Sequence, residues 1–156
     1  MTSVSKPPIA PTKQAVTLKN LTALQAYGAQ LSQQLPFPYV CYLEGDLGAG
    51  KTSLVQGIMQ GFGYTGAVTS PTYNLIHEYP IIRNNQTFTV MHIDLYRLDD
   101  PSDVYELGLL DLLDTHSMLL IEWSEKGRGY IPPADQTIIL RQHSAAQPEW
   151  RLMEFI

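Results

Sequence analysis

The sequence is poor in what several function classes require. Cysteine occurs once, at Cys41, so no disulfide can close within the chain. Cys41 lies in the apolar run Tyr39-Val40-Cys41-Tyr42-Leu43. No cation stands beside it to lower its pKa, which marks a buried structural thiol rather than a nucleophile. Positive charge is also scarce: ten Lys and Arg stand against fifteen Asp and Glu, for a net charge of −5. A protein built to grip a phosphate backbone is basic, so neither DNA nor RNA is the expected direct partner. No apolar stretch approaches membrane-spanning length, and the opening MTSVSKPPIAPTKQ contains no apolar signal core. The expectation is a cytoplasmic protein with no membrane partner.

What is present is ordinary globular material. Hydrophobic residues make up 44% of 156 positions, enough for one domain with one core. Residues 1–14, rich in Pro, Ser, Thr and Lys, read as a flexible arm, and 15–156 as a single domain. Ala15 to Leu18 can form a short strand. Thr22 can then N-cap a helix with Leu24, Ala26, Tyr27, Leu31 and Leu35 on one face, stopped by Pro36 and Pro38. Tyr39 to Glu44 and Ser117 to Glu122 are continuous apolar runs, as in strands buried on both faces. Tyr73–Tyr79 and Thr87–Asp94 read as a hairpin turning near Asn84-Asn85. One helix is expected over Asp103 to Leu113, with Gly108 weakening it, and Thr137–Arg141 and Trp150–Ile156 read as closing strands. The fold class is α/β: a three-layer sandwich around a mostly parallel central sheet with antiparallel additions.

The chemistry starts at Gly45-Asp46-Leu47-Gly48-Ala49-Gly50-Lys51-Thr52, which satisfies G-x-x-x-x-G-K-[ST] between a strand and a helix. The glycines let the backbone approach phosphate oxygens, and N–H groups at a helix start form an anion nest. Lys51 would reach the β- and γ-phosphates and the Thr52 hydroxyl would join a magnesium shell, with Ser53 next to it. The alternative is a glycine turn that only mimics the motif.

Such a loop needs a carboxylate from a second strand, and Asp94 and Glu122 both end apolar runs where an α/β sheet meets its ligand crevice. Glu122 has the cleaner buried strand before it, whereas His92 interrupts the run before Asp94 and suggests a more exposed strand. Each acid could instead cap a neighbouring helix. His92 and Asp94 share a strand face, but a lone histidine without a third ligand reads as a structural group. Thr69, Ser70 and Thr72 form a hydroxyl-rich segment where a γ-phosphate sensor could sit, or plain turn chemistry around Ser70-Pro71. Trp123 could pack against a nucleotide or fill the core.

The P-loop, Thr69-Ser70-Pro71-Thr72-Tyr73, His92-Ile93-Asp94-Leu95-Tyr96-Arg97-Leu98 and Ile121-Glu122-Trp123 follow in this order and spacing. Together they resemble the bacterial TsaE (YjeE) family, the ATPase of tRNA threonylcarbamoyladenosine biosynthesis, over roughly residues 15 to 142. The resemblance implies a P-loop NTPase-type fold that binds ATP and Mg²⁺. It also implies work with the TsaB–TsaD complex on ANN-decoding tRNAs, with tRNA met only through those partners. Family roles fall on Lys51 and Thr52 at phosphate and magnesium, on Glu122 at magnesium, and on Asp94 and Thr69 to Thr72 as switch-like segments. Trp123 matches the tryptophan beside the nucleotide, and a further nucleotide contact would fall around Asn20 to Thr22. Ser53 departs from the family's frequent threonine.

Two other readings remain open. A small P-loop kinase would need a cationic lid, yet Arg83, Arg97, Arg128, Arg141 and Arg151 form no cluster in the sequence. A nucleotide-gated module with negligible hydrolysis would bind without turnover. No guanine-reading N-K-x-D follows the loop, which favours adenine. Nine of the fifteen carboxylates lie between Asp94 and Glu125 with Arg97 as the one Lys or Arg, either a solvated face or a surface for a basic partner.

Overall fold

The computed structural model describes residues 14–71 and 74–156. The expected arm therefore lies outside the described residues except for Gln14, whose carbonyl accepts the Phe155 N–H at 3.0 Å. Gln14 thus prolongs sheet pairing rather than the arm.

Seven strands form one sheet in the order β1-β7-β6-β2-β5-β4-β3. Its middle is parallel: β2 (Tyr39–Glu44) lies between β5 (Ser117–Glu122) and β6 (Gln136–Ser144), and β5 pairs in parallel with β4 (Gln86–Asp94). Antiparallel strands finish both sides, with β3 (Ile76–Arg83) beyond β4, and β7 (Gln147–Phe155) then β1 (Ala15–Leu18) beyond β6. Every residue of β5 is buried, which is why its sequence is continuous rather than alternating.

Alternation instead sorts the two cores. Cys41, Leu43, Val90, Met118 and Leu120 face the layer that holds Leu24, Leu54 and Ile58. Those three belong to α1 (Leu21–Ser32) and α2 (Lys51–Gly61). Val40, Met91, Ile93, Leu119 and Ile121 face Val104 and Leu109 on the other side, from α3 (Asp103–Leu107) and α4 (Leu109–Leu112). The expected three layers are present, and the two large helices are in close contact. A Cβ on Gly57 of α2 would lie 2.2 Å from the Gln25 carbonyl oxygen of α1.

Four local expectations change. Asn20, not Thr22, caps α1: its backbone is extended and its side-chain oxygen accepts the Ala23 N–H at 2.7 Å. The helix expected over Asp103–Leu113 breaks at Gly108, whose φ of 65° ends α3 and starts α4. Strand β3 begins at Ile76, because Asn74 and Leu75 form a turn with φ of 62° at Leu75; Thr72 and Tyr73 lie outside the described residues. The strand bearing Asp94 is buried over residues 90–93 rather than exposed, and His92 is 0% exposed. The β3–β4 hairpin turns at Asn84 and Asn85, both with positive φ, as a two-residue loop requires. Among the described residues no helix is long and apolar enough to cross a membrane.

Candidate functional site

The glycine loop follows β2 and opens α2 at the point where β2's parallel neighbours diverge to β5 on one side and β6 on the other. That is the ligand crevice of an open α/β sheet. Gly45 and Gly50 have φ of 149° and 111°, and a Cβ on Gly45 would lie 2.4 Å from the Leu140 carbonyl oxygen. Side chains are thus excluded there by backbone shape and by space. The Ala49 N–H donates to the Asp46 carbonyl at 3.0 Å and tightens the loop.

Lys51 begins α2 with only 6% of its surface exposed. Its Nζ donates to the Gly45 carbonyl at 2.5 Å, stands 3.7 Å from Glu122 Oε1, and lies 4.3 Å from the Trp123 ring centre. The ammonium is folded back over its own loop, held by a carbonyl, a carboxylate and an aromatic face.

The acid wall comes from register. Parallel pairing of β4 with β5 sets Asp94 against Glu122 and His92 against Leu120, so all four side chains share the face that carries α2. Glu122 is 3% exposed, and His92 Nε2 meets its Oε2 at 2.5 Å. The carboxylate accepts, so Nε2 carries the hydrogen of this bond; the buried Nδ1 has no partner among the described residues. Asp94 Oδ1 accepts the Tyr96 N–H at 2.9 Å. Burial is the main cause that lifts the Asp94 carboxyl above its ordinary range, and the Glu122 charge adds to it. The Tyr96 N–H, His92 and Lys51 act in the opposite direction.

A cleft of about 240 Å³ joins these groups. The loop and first turn of α2 contribute Leu47, Gly48, Gly50, Lys51, Thr52 and Ser53, the strand ends contribute Asp94 and Glu122, and Leu21, Ser70 and Trp123 complete it. Gly45 and Asp46 instead line an adjoining hollow of about 370 Å³ with Glu44, Trp123, Glu125 and Arg128. That hollow is larger but holds neither Lys51 nor the paired carboxylates. Ala49 is buried behind the loop. Thr69 stands off the cleft, its carbonyl in contact with the Tyr79 hydroxyl at 3.4 Å and with His77 Nδ1 at 3.2 Å, while Ser70 reaches it.

Trp123 is held with φ of 57° and ψ of 43°, a left-handed conformation that costs a bulky residue about 1–2 kcal/mol. Its ring packs at a tilt of 50° against Tyr96, with centroids 4.9 Å apart, and Lys126 Nζ donates to the Tyr96 carbonyl at 2.5 Å. Sequence reasoning missed Tyr96 and set His92 aside.

Among the described residues no three His, Cys, Asp or Glu side chains gather into a metal cluster. The cleft offers hydroxyls from Thr52, Ser53 and Ser70 and two carboxylates, Asp94 and Glu122. An all-oxygen set with so few protein ligands fits Mg²⁺, which retains water and takes its remaining ligands from phosphate.

The family model described as "Threonylcarbamoyl adenosine biosynthesis protein TsaE" matches residues 18–150. A Haemophilus influenzae protein named tRNA threonylcarbamoyladenosine biosynthesis protein TsaE is 52% identical over 94 residues, covering 60% of this chain and 57% of that protein. A Synechocystis protein of the same name is 48% identical over 82 residues, or 53% of this chain and 50% of that one. The chain thus spans between half and three-fifths of the length of these curated relatives. The crystal structure of Bacillus subtilis YdiB superposes with a TM-score of 0.73 at 25% identity, over 92% of this chain and 84% of that one.

Proposed function

The chain belongs to the TsaE family, and on that premise we propose that it is a Mg-dependent ATP-binding and ATP-hydrolysing protein. It serves threonylcarbamoyladenosine modification of ANN-decoding tRNAs in the cytoplasm and acts with the TsaB–TsaD complex rather than transferring the group itself. The observation that carries the ATPase reading is the convergence of Lys51, Glu122 and Asp94 on one cleft beside the glycine loop. A phosphate-binding lysine and two adjacent strand-end acids are the minimum such chemistry needs.

In this reading the backbone from Gly45 to Thr52 cradles the triphosphate, and Lys51 leaves the Gly45 carbonyl to meet the phosphate oxygens. Thr52 and Glu122 would hold the magnesium ion, which when bound neutralises charge on the transferring phosphate. His92 fixes the rotamer of Glu122. Asp94 either positions the attacking water or couples phosphate loss to the Thr69–Thr72 segment. Its raised pKa makes it the more proton-accepting kind of carboxylate, which suits the first role. Trp123 packs against Lys51 and screens it from solvent.

The partner reading draws on the far layer. Asp103, Glu106 and Asp111 share short helices with Tyr105 and Leu110, which are 72% and 54% exposed. Acidic side chains around exposed apolar ones suit docking against a basic protein surface, with the tRNA held by the partners. Charge reversal at Asp103 and Glu106 should weaken binding to TsaB–TsaD. Unchanged affinity at low salt would remove this surface from consideration.

The deciding experiment is phosphate release from MgATP by the chain alone and then with purified TsaB–TsaD. The expected result is slow turnover alone, a clear rise with the partners, and none with Lys51→Ala. Turnover indifferent to the partners would refute the partner-dependent ATPase and redirect attention to a phosphoryl acceptor.

A further inference from the structure

Arg151 lies in β7, far along the chain from the glycine loop, and has no role in the function proposed above. Its side chain is 7% exposed. Nε donates to the Ala49 carbonyl at 2.9 Å and Nη2 to the Gly48 carbonyl at 3.3 Å. Nη1 donates to the carbonyls of Pro148 at 2.7 Å and Trp150 at 3.2 Å. Among the described residues no carboxylate pairs with it. The guanidinium therefore bridges its own strand and two successive peptides of the loop.

A trans peptide is planar, and its N–H points opposite to its C=O. Pinning the Ala49 carbonyl on the Arg151 side consequently turns the Gly50 N–H to the other side, toward the anion cradle. Pinning the Gly48 carbonyl fixes the neighbouring peptide, whose N–H already closes on Asp46. The planar fork suits this task, since two donors of one rigid group meet two adjacent acceptors, whereas an ammonium is a single point. A second argument comes from charge. A buried cation with only carbonyl partners is under-compensated, and Arg151 sits directly behind the loop, with Nε 3.8 Å from where a Gly50 Cβ would be. An anion in the cradle supplies the missing counter-charge.

We propose that Arg151 is a positioning residue for the phosphate loop, holding the Gly48 and Ala49 carbonyls back so that the Gly50 N–H is preset for a nucleotide polyphosphate. The inference rests on reading Gly45 to Thr52 as a nucleotide cradle. Its effect is on ground-state binding, since the cradle must be shaped before and after turnover alike.

The test uses the full chain with Arg151→Lys, Arg151→Gln and Lys51→Ala, measuring MgADP affinity by calorimetric titration, KM and kcat for MgATP, and ligand-free thermal unfolding. Arg151→Lys should fold as the parent does yet bind MgADP about tenfold more weakly, the effect of one lost charged hydrogen bond. KM should rise by the same factor with kcat little changed, and Arg151→Gln should bind more weakly still. If Arg151→Gln fails to fold, Arg151→Lys carries the test. MgADP affinity in Arg151→Lys within twofold of the parent overturns the proposal, as does loss of ligand-free folding in that variant, which would make the role purely structural. In both cases the cradle reading survives if Lys51→Ala still loses binding. A parent chain that binds MgADP no better than Lys51→Ala overturns the cradle reading and this inference together.

Discussion

Replacing His92 by leucine should leave the fold standing and damage the cleft beside it. His92 is fully buried, and its Nε2 is the one hydrogen-bond donor to the Glu122 side chain among the described residues, at 2.5 Å. Lys51 Nζ, at 3.7 Å, attracts the same carboxylate without a hydrogen bond. Leucine removes the donor and strands a buried acceptor, which costs about 1–3 kcal/mol. Part is recovered because the imidazole's partnerless Nδ1 leaves with it. The net loss of stability should therefore lie near the low end, a fall in Tm of about 2–4 °C for each kcal/mol in a domain of this size.

The functional effect should be larger. With Glu122 in the magnesium-holding role proposed above, the Mg²⁺ concentration that half-saturates nucleotide binding should rise by about 10–100-fold, the worth of groups that orient a metal-binding carboxylate. His92→Gln places an amide nitrogen near the position of Nε2 and should recover most of it. Scanning calorimetry of the ligand-free protein reads the first quantity and a magnesium titration the second. A leucine variant that loses stability while its magnesium titration stays put would refute the claim that His92 orients Glu122.

Two other outcomes follow from burial. Asp94→Asn keeps the acceptor for the Tyr96 N–H but removes a half-buried charge. Because burial raises the Asp94 pKa in the folded state, the ionised residue subtracts stability as pH rises from its ordinary 3.8 through that raised value. The variant should thus melt at or above the parent at pH 7 and lose this advantage below pH 3.8, while turnover disappears. A variant less stable than the parent at pH 7 would contradict this account. Burial also pushes the Cys41 thiol up to about 12, with the Asp135 charge adding to it. It should resist a disulfide reagent at pH 8 in the native protein and react only on unfolding; rapid native labelling would show the β2 core to be open.

The strand, glycine loop and helix from β2 to α2 were legible in the sequence because their physics is local. Strand, glycines, lysine and helix follow one another within about twenty residues, and each residue type is required by its own position. The hairpin at Asn84-Asn85 and the buried run of β5 were legible for the same reason. Two helices were merged across Gly108 and the α1 cap was set two residues late, since Thr22 and Asn20 both suit a cap and only the backbone's extended geometry at Asn20 decides. A strand's own residues do not record which strands will flank it. Arg151 looked like one of several scattered arginines because its two acceptors in the loop lie 102 and 103 residues away.

His92 shows why a correct local rule gave the wrong answer. A polar residue interrupting an apolar strand usually signals a solvent-facing side, and it would do so on an edge strand with one face bare. Here β4 lies between β3 and β5 and has helices over the relevant face, so the same alternation points His92 into the core. It is tolerated there because parallel register sets Glu122 one step along the neighbouring strand. Each group satisfies the other: the histidine would be costly without the carboxylate, and the carboxylate would be misoriented without the histidine. The buried polar pair therefore marks the strand ends that border the cleft, and the strand that carries it is legible as lining that cleft only once its neighbour is known.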